Sequence, residues 1–552
     1  MIRRIEKMIT TKDDSILYEF DLNGYVGYYY LPSSDMQVNL INYGFTSPCL
    51  VVYPDKKIGM DEVEDLAEKY NLKTVAIKQG TGVLFMNPKN GENWDNEQPD
   101  GYIAAASNFG IAQSNFRDGL AIMEKPGCPD ERTYTMLGSC VRMYVYAIGS
   151  GADYISNVAL KMIGGNTSLG DLGMADYTMT CCTLINGTKL PAPEKNDIIV
   201  VSVNNSEQYN EVLKENCGKV VEETTVDMYK QFNEVTGDYR RWSGKIMPAY
   251  NYEKEGICCY PGSCMVPISD DNARFGRRMG PWGPKEHKVG YVVFHDQNAD
   301  IKNGNLPLLF VFHGGGDCAI ATASLAEWPE IAQKENFLVV AVEMHMNVSA
   351  KEVVSLLEHL KTQFSIDESR VYATGFSMGG IKSWDCFQEV ADKFAAVAPM
   401  DAIQAPGGNT FFTVTEEERL NKDTLLPVFY VGGVASPLTE LPKHDKRAVE
   451  MMQYVAKVNK LTQKFDVDYD NKDSWSDPYV CCKGDEVEIL HDDAFPESEY
   501  HLHHYHSEDG NTYTEILAIT EHKHEIRVFT NKLAWQFLKK FRRNEKGEIV
   551  IS

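Results

Sequence analysis

From about residue 290 onward, short unbroken apolar runs alternate with longer segments whose apolar positions recur every three or four residues. The first kind reads as buried strand and the second as amphipathic helix. Strands are predicted at 308–312, 337–342, 371–373, 395–398 and 427–431. Helices are predicted at 324–335, from Ser349 to about 364, and at 381–394, 445–459 and 531–541. Ser349 followed three residues later by Glu352 is the capping-box pattern of a helix start. Near the end, 501–507 and 512–520 form a predicted hairpin that turns at Asp509-Gly510. Strands that are apolar throughout and separated by helices belong to a mostly parallel sheet covered on both faces, so the fold class is α/β.

The first half repeats this order faintly. Residues 48–53 parallel 307–312, and 66–72 parallel 331–337. Residues 132–134 parallel 370–372, an offset at which Ser139 falls on Ser377. Three matches in one order predict a tandem duplication. A Gly- and Pro-rich stretch separates the halves, so the expected domains are 1–245 and 290–552 with a linker over 246–289. Residues 1–286 contain no histidine, and Val141 stands where a glycine would let helix and strand approach. The first copy is therefore expected to be degenerate and non-catalytic.

The chemistry concentrates in the second half. Gly375-Phe376-Ser377-Met378-Gly379 follows a predicted strand and precedes a predicted helix. That is the context of a nucleophile elbow, a strained turn that presents a serine at a helix N-terminus. Strand 308–312 runs directly into His313-Gly314-Gly315-Gly316-Asp317. A glycine loop there lets backbone N–H groups face an oxyanion, with one donor from Gly315 or its neighbour and the other from Met378. The base expected after the last strand is His524, with His522 the alternative. The orienting acid is Glu440 or Asp401, because 434–439, after strand 427–431, contains no Asp. His501, His503, His504 and His506 alternate along the hairpin without carboxylate or cysteine in ligand register, so no metal site is expected there.

The run Ile366-Asp367-Glu368-Ser369-Arg370-Val371-Tyr372-Ala373-Thr374-Gly375-Phe376-Ser377-Met378-Gly379-Gly380 closely resembles the polyhydroxybutyrate depolymerase / feruloyl and acetylxylan esterase group of α/β-hydrolases. The strand leading into His313-Gly314 and the terminal His524-Glu525 share that resemblance. It covers roughly 290–541 and implies carboxylic ester hydrolysis through an acyl-enzyme without cofactor; with the internal matches, the expected architecture is two tandem α/β-hydrolase-like domains, the first degenerate. The implied substrates are small-molecule or oligosaccharide esters, those of plant polysaccharides among them. Two other readings compete. A serine peptidase of the prolyl-oligopeptidase type would use the same residues, but no blade-length repeat is visible in the first 280 residues. A hydrolase-fold binding protein would suit the degenerate copy, but not an elbow, glycine loop and late histidine together.

Composition narrows the classes. The 552 residues exceed one ordinary domain, and 43% hydrophobic content suits a well-cored globular protein. A formal net charge of −25 argues against nucleic acid or an anionic membrane as partner. No apolar run approaches a membrane span, and Lys12, Asp13 and Asp14 interrupt any signal-peptide core, so the expected location is cytoplasmic. Thirteen cysteines, three pairs of them adjacent, fit reduced buried thiols better than a disulfide framework. An acidic chain with a spare domain is expected to form a homo-oligomer.

Overall fold

The computed structural model describes residues 5–32, 48–109, 139–164, 179–242, 245–248, 252–270, 272, 285–315, 319–407 and 420–551. The chain divides into two units, 1–250 and 251–552. Among the described residues no helix is long and apolar enough to cross a membrane. The described cysteines are free thiols, most of them buried.

The second unit is built on a ten-stranded sheet. Its strands are β12 (Ile257–Pro267), β13 (Glu286–Asp296), β14 (Leu306–Phe312), β15 (Leu338–Val342), β16 (Ile366–Phe376), β17 (Ala396–Met400), β18 (Val428–Gly433), β19 (Glu486–Leu490), β20 (Tyr500–His506) and β21 (Thr512–Ile519). Their order is β12-β13-β15-β14-β16-β17-β18-β21-β20-β19, parallel from β15 to β21 and antiparallel at both flanks. Every residue of β14, β15, β17 and β18 is buried. Each large aliphatic or aromatic side chain so buried contributes roughly 1.5–3 kcal/mol, which fixes these strands at the centre. The predicted capping box is present: Ser349 Oγ accepts from Glu352 N–H and the Glu352 carboxylate accepts from Ser349 N–H.

Three expectations change. The predicted linker carries β12 and the start of β13, eleven-residue strands paired along their full length in the second sheet. The mostly exposed and half-buried positions of β12, and the Pro and Gly at 261–262, hid a flanking ribbon. Helix 324–335 is two helices, Ala319–Leu325 and Trp328–Glu335. Pro329 has no N–H to donate, so it sits in the first turn of a new helix rather than inside a long one. The third change concerns Ser139.

The first unit has a nine-stranded sheet of β1 (Ile5–Thr10), β2 (Ile16–Leu22), β3 (Tyr25–Leu31), β4 (Pro48–Tyr53), β5 (Val83–Met86), β6 (Ser139–Ile148), β7 (Cys181–Ile185), β8 (Ile199–Val203) and β9 (Lys219–Glu223). The order is β1-β2-β3-β5-β4-β6-β7-β8-β9, with β5 to β9 parallel. From β3 to β8 this is the order of β13 to β18. Register aligns the two sheets: Ile148 pairs with Ile185 as Phe376 pairs with Met400. Gly149 therefore stands where Ser377 stands, and Ser139 lies at the opposite end of its strand. The 132–134 match that suggested Ser139 lies outside the described residues.

Candidate active site

The elbow follows from the sequence locally. β16 ends at Phe376 and a helix, Met378–Glu389, begins one residue after Ser377. Ser377 has φ 54° and ψ −116°, a left-handed conformation that costs a non-glycine residue of order 1–3 kcal/mol. The turn brings backbones almost into contact: a Cβ on Gly379 would lie 2.0 Å from Phe312 O, and one on Gly375 2.5 Å from Gly379 C. Ser377 N–H donates to Met400 O at 3.0 Å, which ties the turn to the neighbouring strand. Ser377 Oγ thus faces the N-terminal end of the helix, where positive dipole and unsatisfied N–H groups favour negative charge.

His524 reaches this hydroxyl from the loop after β21. Its Nε2 lies 2.9 Å from Ser377 Oγ, and its Nδ1 lies 2.5 Å from Glu440 Oε1. Phe376 stacks on the ring with centroids 4.8 Å apart and holds its tilt. Glu440 is wholly buried on the loop after β18. Its Oε2 accepts from Gly433 N–H at 2.7 Å, and its Oε1 also accepts from Ser436 Oγ–H at 2.5 Å. Burial, and the Asp401 carboxylate nearby, push the Glu440 carboxyl upward, while Ser436 and Gly433 pull it back. Burial holds the His524 imidazole below its ordinary value.

The structure brings Ser377, His524 and Glu440 into one chain of hydrogen bonds, and beside it Asp401 pairs with His522 at 3.0 Å instead of with His524. Neither the part of Ser436 nor the Asp401–His522 pairing was read from the sequence. A hydroxyl four residues before Glu440, in the turn after β18, was the available signal for the first. The β17 and β21 loops meet only through sheet order, so the second had none.

The glycine loop runs over the elbow. A Cβ on Gly314 would lie 3.8 Å from Ser377 Cβ, and one on Gly315 would meet Met378 Sδ at 2.5 Å. Gly314 N–H donates to Thr322 Oγ1 at 3.4 Å, and Gly315 and Met378, the donors expected from the sequence, stand next to each other where the loop crosses the elbow. Gly316 and Asp317 lie outside the described residues. His313 is fully buried and braces the loop from below: its Nδ1–H donates to Gly314 O at 2.7 Å, and its carbonyl accepts from His345 Nε2–H at 2.6 Å. Its part is thus loop support, not substrate contact.

Burial pushes the His313 imidazole down from 6.5 to about 4. The unfolded chain binds this proton near 6.5 and the folded chain only near 4, so stability falls as pH drops through that window. The loss approaches about 3 kcal/mol. A urea midpoint followed against pH is expected to fall through this window, and to fall less in His313→Gln.

Strand order, a serine elbow after the central strand, an acid on the loop after the next strand but one and a histidine after the last parallel strand decide the architecture. The second unit has the α/β-hydrolase fold. The chain's similarities run among esterases and other hydrolases, a putative dipeptidyl aminopeptidase IV from Bacteroides ovatus among them. No family model matches the chain. A bifunctional acetylxylan esterase/xylanase from Neocallimastix patriciarum is 29% identical over 138 residues, which is 23% of this chain and 19% of that protein. The chain thus spans about a fifth of the length of that curated relative. Among solved structures, an acetyl xylan esterase from Aspergillus awamori aligns at 11% identity over 50% of this chain and 99% of its own, with a TM-score of 0.33. The feruloyl esterase module from Clostridium thermocellum aligns at 11% identity over 51% and 88%, with a TM-score of 0.28.

The corresponding place in the first unit is filled from within. Gly149 has φ 55° and ψ −118°, nearly the angles of Ser377. Gly151 repeats the contact of Gly379, since its Cβ would lie 2.3 Å from Tyr53 O. Ser150 N–H, the counterpart of Met378 N–H, donates to Asp55 Oδ1 at 2.7 Å, and Ser150 Oγ–H donates to Asp55 O. A carboxylate therefore occupies the position where an oxyanion would sit.

Proposed function

We propose that the second unit is a serine carboxylesterase that works through an acyl-enzyme. The observation that carries this is the continuous relay from Ser377 Oγ through His524 to Glu440. In this reading Ser377 Oγ adds to the ester carbonyl as His524 Nε2 takes its proton. Glu440 fixes the imidazole with Nε2 toward the serine and offsets the positive charge that forms. The oxyanion is held by Met378 N–H and by Gly315 or its neighbour. His524 returns the proton to the leaving alkoxide, the adduct collapses to acyl-Ser377, and a water repeats the sequence to release the acid. Every step uses groups of the chain and one water.

Small acyl or aryl esters, including those borne by plant polysaccharides, are the proposed substrates, in keeping with the acetylxylan esterase description of the curated relative. The peptidase reading shares the relay, but the described residues of the first unit form a nine-stranded sheet and a two-stranded ribbon, Tyr239–Trp242 with Lys245–Pro248, rather than propeller blades, which favours the ester reading. We further propose that the first unit is a catalytically silent duplicate of the second, on the grounds of shared strand order and of Gly149 and Asp55 at its elbow.

Two measurements test these readings. The purified chain is expected to hydrolyse aryl acetate and not a peptide anilide; the reverse preference overturns the esterase assignment. A fluorophosphonate is expected to label one serine per chain, mapped to Ser377. Label on Ser139 or Ser150 would refute the silent first unit.

A further inference from the structure

Beside the proposed relay lies a second buried pair. His522 Nε2 is 3.0 Å from Asp401 Oδ1, and the two residues are only 1% and 3% exposed. Asp401 directly follows β17 with φ 53°, next to the strand that leads to Glu440. One polar atom each of Asp401, Glu440 and His522 lies within 4.8 Å of the others. Two carboxylates thus share one buried pocket, and like charges that close stay ionised together only when a cation or several donors offset them. The relay needs Glu440 as a carboxylate.

The charged and titratable groups facing the pocket come from each loop around it. They are Asp401 after β17; Tyr430, Glu440, Lys443 and His444 from β18 and its loop; and His522, His524, Glu525 and Arg527 after β21. Arg527 is held by Glu525 at 2.6 Å, and Lys443 Nζ donates to Val434 O. His522 is the group placed to answer Asp401. Its Nδ1 lies 3.8 Å from Glu525 Oε1 and makes no hydrogen bond, so the ring sits between two carboxylates.

We propose that Asp401 and His522 form a second carboxylate–imidazole pair that tunes the first. His522 offsets the charge of Asp401 and so keeps Glu440 a carboxylate; Asp401 supports the positive charge that passes onto His524. This rests on the reading of Ser377, His524 and Glu440 given above. Asp401 and His522 act through those residues and are positioning residues.

The test is the rate at which a fluorophosphonate labels Ser377, followed against pH, which needs no natural ester. Asp401→Asn is expected to move the acid limb to lower pH by about one unit, because the His524 imidazolium loses a nearby negative charge. His522→Gln is expected to move it upward by a similar amount, because Asp401 is then unanswered. The double variant removes both partners together and is expected to return the limb close to its original position. Asparagine suits the backbone at 401, since Asn186 holds the corresponding position of the first unit at φ 52°. A purely structural role would slow labelling and lower the thermal midpoint in both single variants without moving either limb. Limbs that stay in place, limbs that shift the same way, or a double variant displaced further than either single one overturn the proposal. A stationary limb in Asp401→Asn alone is enough to do so. Label mapped to Ser377 in each variant, and its loss in Ser377→Ala, keeps such a failure distinct from failure of the nucleophile assignment.

Discussion

Ser377→Ala is expected to lose ester hydrolysis by about 10⁶-fold in kcat, with the fold and the thermal midpoint kept or raised. The chemical loss follows from the relay: without Oγ there is no acyl-enzyme, and His524 is left to activate water in a site shaped for a serine adduct. The stability follows from the backbone, since residue 377 is held at φ 54° by Gly375, Gly379 and the bond to Met400 O whatever its side chain. Alanine bears the same strain as serine there and removes only a hydroxyl whose partner is His524. Turnover within tenfold of the unmodified chain would overturn the mechanism.

Glu440→Gln is expected to cost about 10⁴-fold, less than the serine change, because the acid exchanges no proton with substrate. An amide at this position can present its NH₂ to His524 Nδ1, which forces the proton onto Nε2 and leaves no lone pair for the Ser377 hydroxyl. A glutamine oxygen in the place of Oε2 keeps the bond from Gly433 N–H, which puts the NH₂ in the place of Oε1, toward His524 and toward the Ser436 hydroxyl, which can turn to accept from it. Steady-state kinetics should show the loss in kcat with KM little changed. Equal activity in Glu440→Gln and the unmodified chain would mean that another carboxylate orients His524.

Much of the second unit was legible because its strands are apolar on both faces and its helices carry a clear stripe and, at Ser349, a cap. The elbow and the glycine loop were legible for a covalent reason: the residues that permit the backbone path are adjacent in sequence. The partner of His524 was not, because Asp401 and Glu440 both follow parallel strands and only side-chain reach separates them. Asp401 is the shorter side chain on the nearer strand, and it meets His522 instead. The ribbon β12–β13 was hidden because β12 is mostly exposed or half-buried and is interrupted by Pro261-Gly262, so it carries no buried-strand signal. In the first unit the three short matches pointed to a repeat, but the position of its elbow required the pairing of Ile148 with Ile185.

Asp55 bears on what the first unit could become. A serine introduced at 149 would put its Cβ 2.0 Å from Asp55 Oδ1, into filled space and beside a negative charge. Removing Asp55 alone leaves a glycine with nothing to attack, and no histidine among residues 1–286 could activate a replacement. No single substitution along that route yields a working intermediate for selection to favour. A serine at 149, the loss of Asp55 and a new histidine are three separate changes that stand between this unit and the arrangement around Ser377.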